Sequence, residues 1–169
     1  MPAASEHWVQ IDIGRQQLAL FSGAQRVADW PVSTALKGPG ELVDSGCTPR
    51  GEHRVRIKIG EGCPVNTVFV GRRPSGEVYN EALAQQQPHC DWILSRIIWL
   101  TGTQRGSNRG GDCDTLRRYI YIHGCPDSEP MGVPLSHGCI RMRNADLIEL
   151  FELVEAGTRV VIVEHSADV

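Results

Sequence analysis

Apolar and polar residues alternate from the start of the chain. Val9, Ile11 and Ile13 are separated by Gln10 and Asp12, the period of a strand with one buried face. Gly14 to Gln16 turns the chain and Leu18 to Phe21 brings it back. Gly23 closes this pair. Val27 to Val32 reads as a third strand, and Pro31 places it at an edge or a bulge, because proline cannot donate to a ladder. Residues 36–51 hold four glycines and two prolines and read as a long loop. From His53 to Ile59, Val55, Ile57 and Ile59 take one face and Arg54, Arg56 and Lys58 the other. The basic face is expected to be solvated. Asn66 to Val70 reads as a strand, and Glu81 to Gln87 as a short helix before Pro88.

Gly102 to Gly111 is polar and glycine-rich and carries Arg105 and Arg109. Such a segment reads as a mobile loop able to cover a site. Tyr119 to Ile122 reads as a strand leading into His123, so Tyr119, Tyr121 and His123 are expected on one face. Asn144 is expected to cap a helix over about 144–156, with Leu147, Leu150, Phe151 and Val154 inward, Asp146 in its first turn and Gly157 at its end. Arg159 to Glu164 is a last strand. The pattern is mostly β with one helix in the C-terminal half, which predicts a closed or sandwich-like sheet. The expected division is an extension over 1–6, one domain over 7–164 and a tail over 165–169.

Length and charge narrow this picture. The chain has 169 residues, enough for one domain with a real core. A formal net charge of −3 gives no global reason to expect a nucleic-acid or membrane partner. No apolar run reaches membrane-spanning length. The stretch Met1 to His7 has neither a basic nor an apolar region of a secretory leader. The two readings are a cytoplasmic protein, or a periplasmic one whose leader has been removed. There are six cysteines. An oxidising compartment would press them into disulfides, and a chain this long does not need such staples. The cytoplasm is therefore the expected location.

The candidate chemistry lies in Ser136-His137-Gly138-Cys139-Ile140-Arg141-Met142, with a second His-Gly pair upstream at His123-Gly124. A reactive thiol needs a base, a group that orients the base, and N–H donors for a developing oxyanion. Cys139 is the candidate nucleophile. A cysteine taken alone is more often a buried structural residue. Arg141 or a protonated histidine would favour its thiolate. His123 and His137 are rival bases. Neither has an obvious aspartate in the motif, although Asp127 is near. Ser136 suits turn chemistry as well as a contact to substrate. Arg141 could take a substrate carboxylate or brace the loop. Tyr119, Tyr121 and Trp99 suit a core or a pocket wall. Arg117 and Arg118 read as a solvated pair rather than an anion-binding rim. The rival of another class is zinc held by His123-x-Cys125 and His137-x-Cys139, but this spacing fits known zinc patterns poorly. No metal or cofactor is expected.

His123-Gly124, twelve intervening residues from Gly124 on, and then Ser136-His137-Gly138-Cys139-Ile140-Arg141 resemble the motif of the L,D-transpeptidase (YkuD-type) catalytic domain. The resemblance extends upstream. Residues 9–21 look like that family's opening hairpin. Val32-Ser33-Thr34 with Thr48-Pro49-Arg50-Gly51 looks like its "ST…TPxG" segment, and Arg118 to Gly124 like its penultimate core strand. The likeness covers roughly 7–164 and is least familiar over 84–118. It implies a β-sandwich or barrel-like catalytic fold, in which Trp92 to Leu100 is another strand.

The resemblance also implies roles. Cys139 would be the nucleophile and His123 the base, oriented by the Gly124 carbonyl. His137 and Gly138 would lie in the oxyanion region. Ser136, Arg141, Tyr121, Arg105 and Arg109 would be candidates for holding substrate. The implied substrate is a peptidoglycan stem tetrapeptide or muropeptide, attacked at the L-centre of its third residue with loss of the terminal D-alanine. Water as acceptor makes an L,D-carboxypeptidase; an amine of a second stem makes a transpeptidase and a 3→3 crosslink. A noncatalytic wall-binding module would have no use for Cys139. With a cytoplasmic location, the expectation is a carboxypeptidase in murein recycling, with the transpeptidase as the alternative. Sequence gives no oligomeric state.

Overall fold

The computed structural model describes residues 7–166. Within them ten strands and two helices follow in order. They are β1 (His7–Asp12), β2 (Gln17–Ser22), β3 (Gln25–Ser33), β4 (Gly51–Ile59), β5 (Thr67–Val70), β6 (Arg73–Val78), α1 (Glu81–Gln86), β7 (Leu94–Gly102), β8 (Tyr121–Gly124), β9 (Ile140–Met142), α2 (Asn144–Leu153) and β10 (Arg159–Val163). The sheet runs β4-β10-β1-β2-β3-β9-β8-β7-β5-β6, and β4 also pairs with β7. That extra pairing closes eight strands into a barrel and leaves the β5–β6 hairpin attached through β7 alone. Closure removes the free edges that would otherwise recruit other strands. The mostly β, barrel-like expectation is what is found.

The core fills the barrel and the inner face of α2. Val9, Ile11, Leu18, Leu20, Ile98, Leu100, Ile122, Ile140 and Ile162 pack with Leu147, Leu150 and Phe151. Burying each such side chain contributes about 1.5–3 kcal/mol before chain entropy is counted. Pro31 pairs with Gln17 on its β2 side, while β9 joins β3 only at Val32 and Ser33. The proline therefore stands where β3 is still an edge, as the sequence suggests.

Several local expectations change. On β4 the register shifts between Val55 and Ile57. The alternation breaks there: Val55 is buried, but Ile57 is exposed and the Lys58 ammonium covers the Phe151 ring at 4.2 Å. Strand β6 escapes sequence reading because Arg73-Pro74-Ser75-Gly76-Glu77-Val78 is exposed throughout and has no apolar period. Tyr119 is not part of β8. It sits at φ 57°, in the left-handed region, with its side chain exposed. Helix α2 ends at Leu153, before the expected 156, and Gly157 instead donates its N–H to Val55 O.

Asn144 does not cap α2. Arg143 takes the cap position, without a side-chain hydrogen bond, and Asn144 is the first helical residue. Its amide points into the protein. Oδ1 accepts from Ser95 Oγ at 2.6 Å, and Nδ2 donates to Cys125 O at 2.8 Å, to Asp127 Oδ1 at 3.0 Å and to Asn66 Oδ1 at 3.1 Å. A buried amide with partners at both ends ties its neighbours into one geometry.

The loop over 102–111 is pinned rather than free. Asn108 is fully buried. Its Nδ2 donates to Glu52 O at 2.9 Å and Arg50 O at 3.2 Å, and its Oδ1 accepts from Gln104 N at 2.9 Å. The extension over 1–6 and the end of the tail lie outside the described residues. Ser166 folds back so that its N–H and hydroxyl reach Asp12 Oδ2, at 2.9 and 2.6 Å. Among the described residues, no helix is long and apolar enough to cross a membrane.

Candidate active site

The turn that carries Cys139 is built by short side chains. Ser136 Oγ donates to Cys139 O at 2.5 Å and accepts from Gly138 N at 3.2 Å. Its hydroxyl is used up by the turn. Gly138 has φ 136°, where L side chains are strained, and an added Cβ would press on Cys47 O and Ile120 Cδ1, each at 3.3 Å. Thr48 Oγ1 donates to Gly138 O at 2.8 Å and accepts from Ala35 N at 3.0 Å. Thr34 is held in turn by Gln16, whose Nε2 and Oε1 reach Thr34 Oγ1 and N at 2.6 and 2.9 Å. Ser33 Oγ accepts from Leu135 N at 3.1 Å and Thr34 O from Ser136 N at 2.9 Å, so the serine and threonines of the "ST…TPxG" segments brace the cysteine turn from behind.

Cys139 Sγ lies between two backbone groups: Tyr121 N–H reaches it at 3.3 Å, and the thiol reaches Tyr119 O at 3.3 Å. The residue as a whole is half-buried, with its thiol on the inward side. Burial pushes the thiol up to about 12, against the lowering effects of the Tyr121 N–H, Arg141 and Arg118. The resting group is therefore a neutral thiol. Arg141 does favour the thiolate, as the sequence suggests, but desolvation outweighs it and the other nearby guanidinium group.

His123 is buried on β8, and its Nδ1 donates to Gly124 O at 2.7 Å. That bond assigns the proton to Nδ1 and leaves Nε2 as an acceptor. Burial lowers the imidazole below its ordinary value, although the Gly124 bond and Asp91 oppose this. The ring is neutral at neutral pH, the state a base requires. Gly124 is needed as glycine: a Cβ there would run into Asn144 Oδ1 and Leu94 O. The Asn144 network therefore sits directly behind the carbonyl that orients His123.

His137 and Arg141 meet at a residue that sequence reading passed over. Asp91 Oδ2 accepts from His137 Nδ1 at 3.0 Å, and Asp91 Oδ1 accepts from Arg141 Nη2 at 2.8 Å. Burial works against ionisation of Asp91, but the His137 bond and the Arg141 charge outweigh it and hold the carboxyl below the usual range. Arg141 is thus paired within the protein, and its buried Nε has no hydrogen-bond partner among the described residues. Asp91 follows α1 in irregular chain, so no periodicity marks it.

Other candidates fall into place around this centre. Tyr121 is buried with Phe69, Ile97 and the Cys139 side chain. A cavity of about 390 Å³ is lined by Val43, Asp44, Gly46, Arg117, Arg118, Tyr119, Ile120 and His137. Arg118 is not a solvated residue. Its guanidinium donates to Cys47 O at 2.7 Å and Gly40 O at 3.3 Å, tying the long loop to the site. Arg105 and Arg109 line a different basin with Arg56, Thr101, Asp114, Leu116 and Arg117, and only Arg117 is common to both. The Gly138 N–H expected in the oxyanion region is engaged by Ser136 Oγ. Among the described residues, no three His, Cys, Asp or Glu side chains gather as a metal site. Cys125 is buried with its thiol on Met142 O at 3.7 Å.

Within the closed β scaffold, Cys139 directly precedes β9, and the buried, carbonyl-oriented His123 lies on β8, the strand paired with it. The family model for the L,D-transpeptidase catalytic domain, YkuD, matches residues 6–162. The chain belongs to this family. It is 45% identical over 50 residues to the probable L,D-transpeptidase YbiS of Escherichia coli K12, covering 30% of this chain and 16% of that protein. It is 46% identical over 46 residues to the putative L,D-transpeptidase YkuD of Bacillus subtilis, covering 27% of this chain and 28% of that protein. These matches span less than a third of either curated relative's length. Among solved structures, Bdellovibrio bacteriovorus Bd1075 aligns with a TM-score of 0.61 and 17% identity over 98% of this chain and 50% of that one. An L,D-transpeptidase from Mycobacterium smegmatis aligns with a TM-score of 0.56 and 16% identity over 94% of this chain and 58% of that one. At these identities the structural likeness is one of fold.

Proposed function

We propose that the chain is a cysteine-dependent L,D-carboxypeptidase that removes the terminal D-alanine from peptidoglycan stem tetrapeptides. The observation that carries the acyl-transfer step is geometric: Cys139 Sγ rests on the Tyr121 N–H, and on the same strand as Tyr121 the Gly124 carbonyl holds His123 with its Nε2 left as acceptor. As sulfur attacks the carbonyl of the third residue, His123 takes the thiol proton, and the Tyr121 N–H stabilises the sulfur. A C–S bond forms. The C–N bond to D-alanine then breaks, and the leaving nitrogen takes the proton back from the imidazolium. Water attacks the thioester, passes its proton through His123 to sulfur, and releases the tripeptide carboxylate and the thiol.

Two features support water as acceptor. The cavity beside the cysteine turn is bordered by the exposed His137 and Tyr119 rings, which leaves water a path to it. All six cysteines are free, which suits a reducing cytoplasm, where stem peptides are soluble fragments for recycling and acceptor stems are dilute. Partitioning of an acyl-enzyme follows whichever nucleophile can be positioned at its carbonyl. The family's name, L,D-transpeptidase, describes the alternative, transfer to an amine acceptor, which on a second stem would give a 3→3 crosslink. Incubation of tetrapeptide in ¹⁸O-water separates them. The proposal expects tripeptide with one ¹⁸O in its new carboxylate and free D-alanine; unlabelled 3→3 dimer as the main product would replace it with the transpeptidase reading.

A further inference from the structure

The β5–β6 hairpin turns at Gly71-Arg72, both left-handed at φ 56° and 66°. Its second strand is exposed throughout, and the half-exposed tip residue lays its guanidinium along aromatic rings. The Arg72 guanidinium lies 4.8 Å from the Tyr119 ring centroid and 5.2 Å from that of Trp99. Its Nη1 reaches Tyr121 Oη at 3.4 Å. Tyr119 and Tyr121 are the two residues whose backbone groups touch Cys139 Sγ. One cation is therefore braced on the side chains of the two residues whose backbone groups flank the thiol.

This cation is incompletely partnered. Arg26, Arg50, Arg141 and Arg159 each meet a carboxylate, whereas no ion pair of Arg72 occurs among the described residues. The rings occupy the guanidinium face and a long neutral hydrogen bond takes one N–H, so the rest of the donor edge is open. Stacking on aromatic rings holds the plane in place, and a planar fork matches a carboxylate with two parallel hydrogen bonds. Arg141, the guanidinium nearest in sequence to the cysteine, is already used by Asp91.

We propose that Arg72 binds the free C-terminal carboxylate of the donor peptide and so restricts cleavage to the last peptide bond. The inference rests on the peptide-donor reading above. When one residue leaves, its carboxylate lies about 3.5 Å further along the chain than the attacked carbonyl. Arg72 holds the side chain of the residue whose N–H meets the sulfur, so it stands on the side of the site where such a carboxylate can be received.

The test compares a stem tetrapeptide ending in a free carboxylate with the same peptide ending in a carboxamide. Wild-type protein should prefer the acid in kcat/KM by about 10- to 100-fold, the worth of charge-assisted hydrogen bonds. Arg72→Gln should bring the acid-to-amide ratio of kcat/KM down to about one, and Arg72→Lys should recover part of it. Equal turnover of acid and amide by the wild type overturns the assignment. So does an equal loss on both peptides in Arg72→Gln, which is what a purely structural role would give. Calorimetric binding of the two peptides to Cys139→Ala protein repeats the comparison without turnover. Acid-selective binding that needs Arg72, with no turnover by the wild type, supports the receptor while rejecting the carboxypeptidase; equal or absent binding of both peptides overturns the receptor.

Discussion

Asp91 and Arg141 meet at 2.8 Å across the entrance to the cysteine turn, and the second carboxylate oxygen of Asp91 holds His137. One carboxylate thus links the irregular chain after α1 to the motif strand. Arg141 is nearly buried. Removing its partner leaves a charge that water reaches poorly. Asp91→Ala should lower stability by about 1–3 kcal/mol, with Asp91→Asn costing less because it keeps an acceptor for Arg141. Urea unfolding of the two variants measures the difference. Equal, negligible losses would show that Arg141 is satisfied without Asp91.

Cys139→Ala should remove acylation, reducing kcat by about 10⁴-fold or more. The melting temperature should stay within about 4 °C, since the turn is held by Ser136, Thr48 and Gly138 rather than by sulfur. Mass spectrometry for an acyl adduct checks the first part and calorimetry the second. An adduct on the alanine variant would transfer the nucleophile to another residue.

His123→Ala should slow single-turnover acylation by about 10²–10⁴-fold, the range for a general base. His137→Ala should do less, because His137 is exposed and tied to Asp91. The lowered His123 value also sets a pH dependence. A base must be unprotonated, so kcat/KM should rise with pH through an apparent pKa below 6.5 and then level off. A larger loss in His137→Ala would exchange the two roles.

His53 supplies a pH dependence of stability away from the thiol. It is fully buried between Gly51 O at 3.0 Å and Thr115 Oγ1 at 2.9 Å, and burial lowers its pKa to about 4. Between 6.5 and that value the unfolded chain binds the extra proton, so stability falls as pH falls through this window. The full loss is on the order of 3 kcal/mol. Denaturation at several pH values, set against His53→Gln, isolates this share from the carboxylates. The same slope in both proteins would assign the effect elsewhere.

Much of this protein was legible along the chain. Alternation at Val9–Ile13 and the helix face Leu147, Leu150, Phe151 mark their elements because burial repeats with the local backbone period. His123, Gly124, Ser136, Gly138 and Cys139 stand close in two short runs, so their grouping needs only neighbouring strands to bring them together. Tertiary structure decided the rest. Arg72 reaches the side chains of the residues flanking the thiol by a hairpin tip, and Asp91 reaches His137 and Arg141 across 46 and 50 residues. Neither has a periodic neighbour to announce it. Asn144 carries a helix-start residue type, but the space behind Gly124 turned its amide inward. The protonation states were also set in three dimensions. A thiol and an imidazole have ordinary values in sequence; exclusion of water around Cys139 and His123 moves both toward their neutral forms.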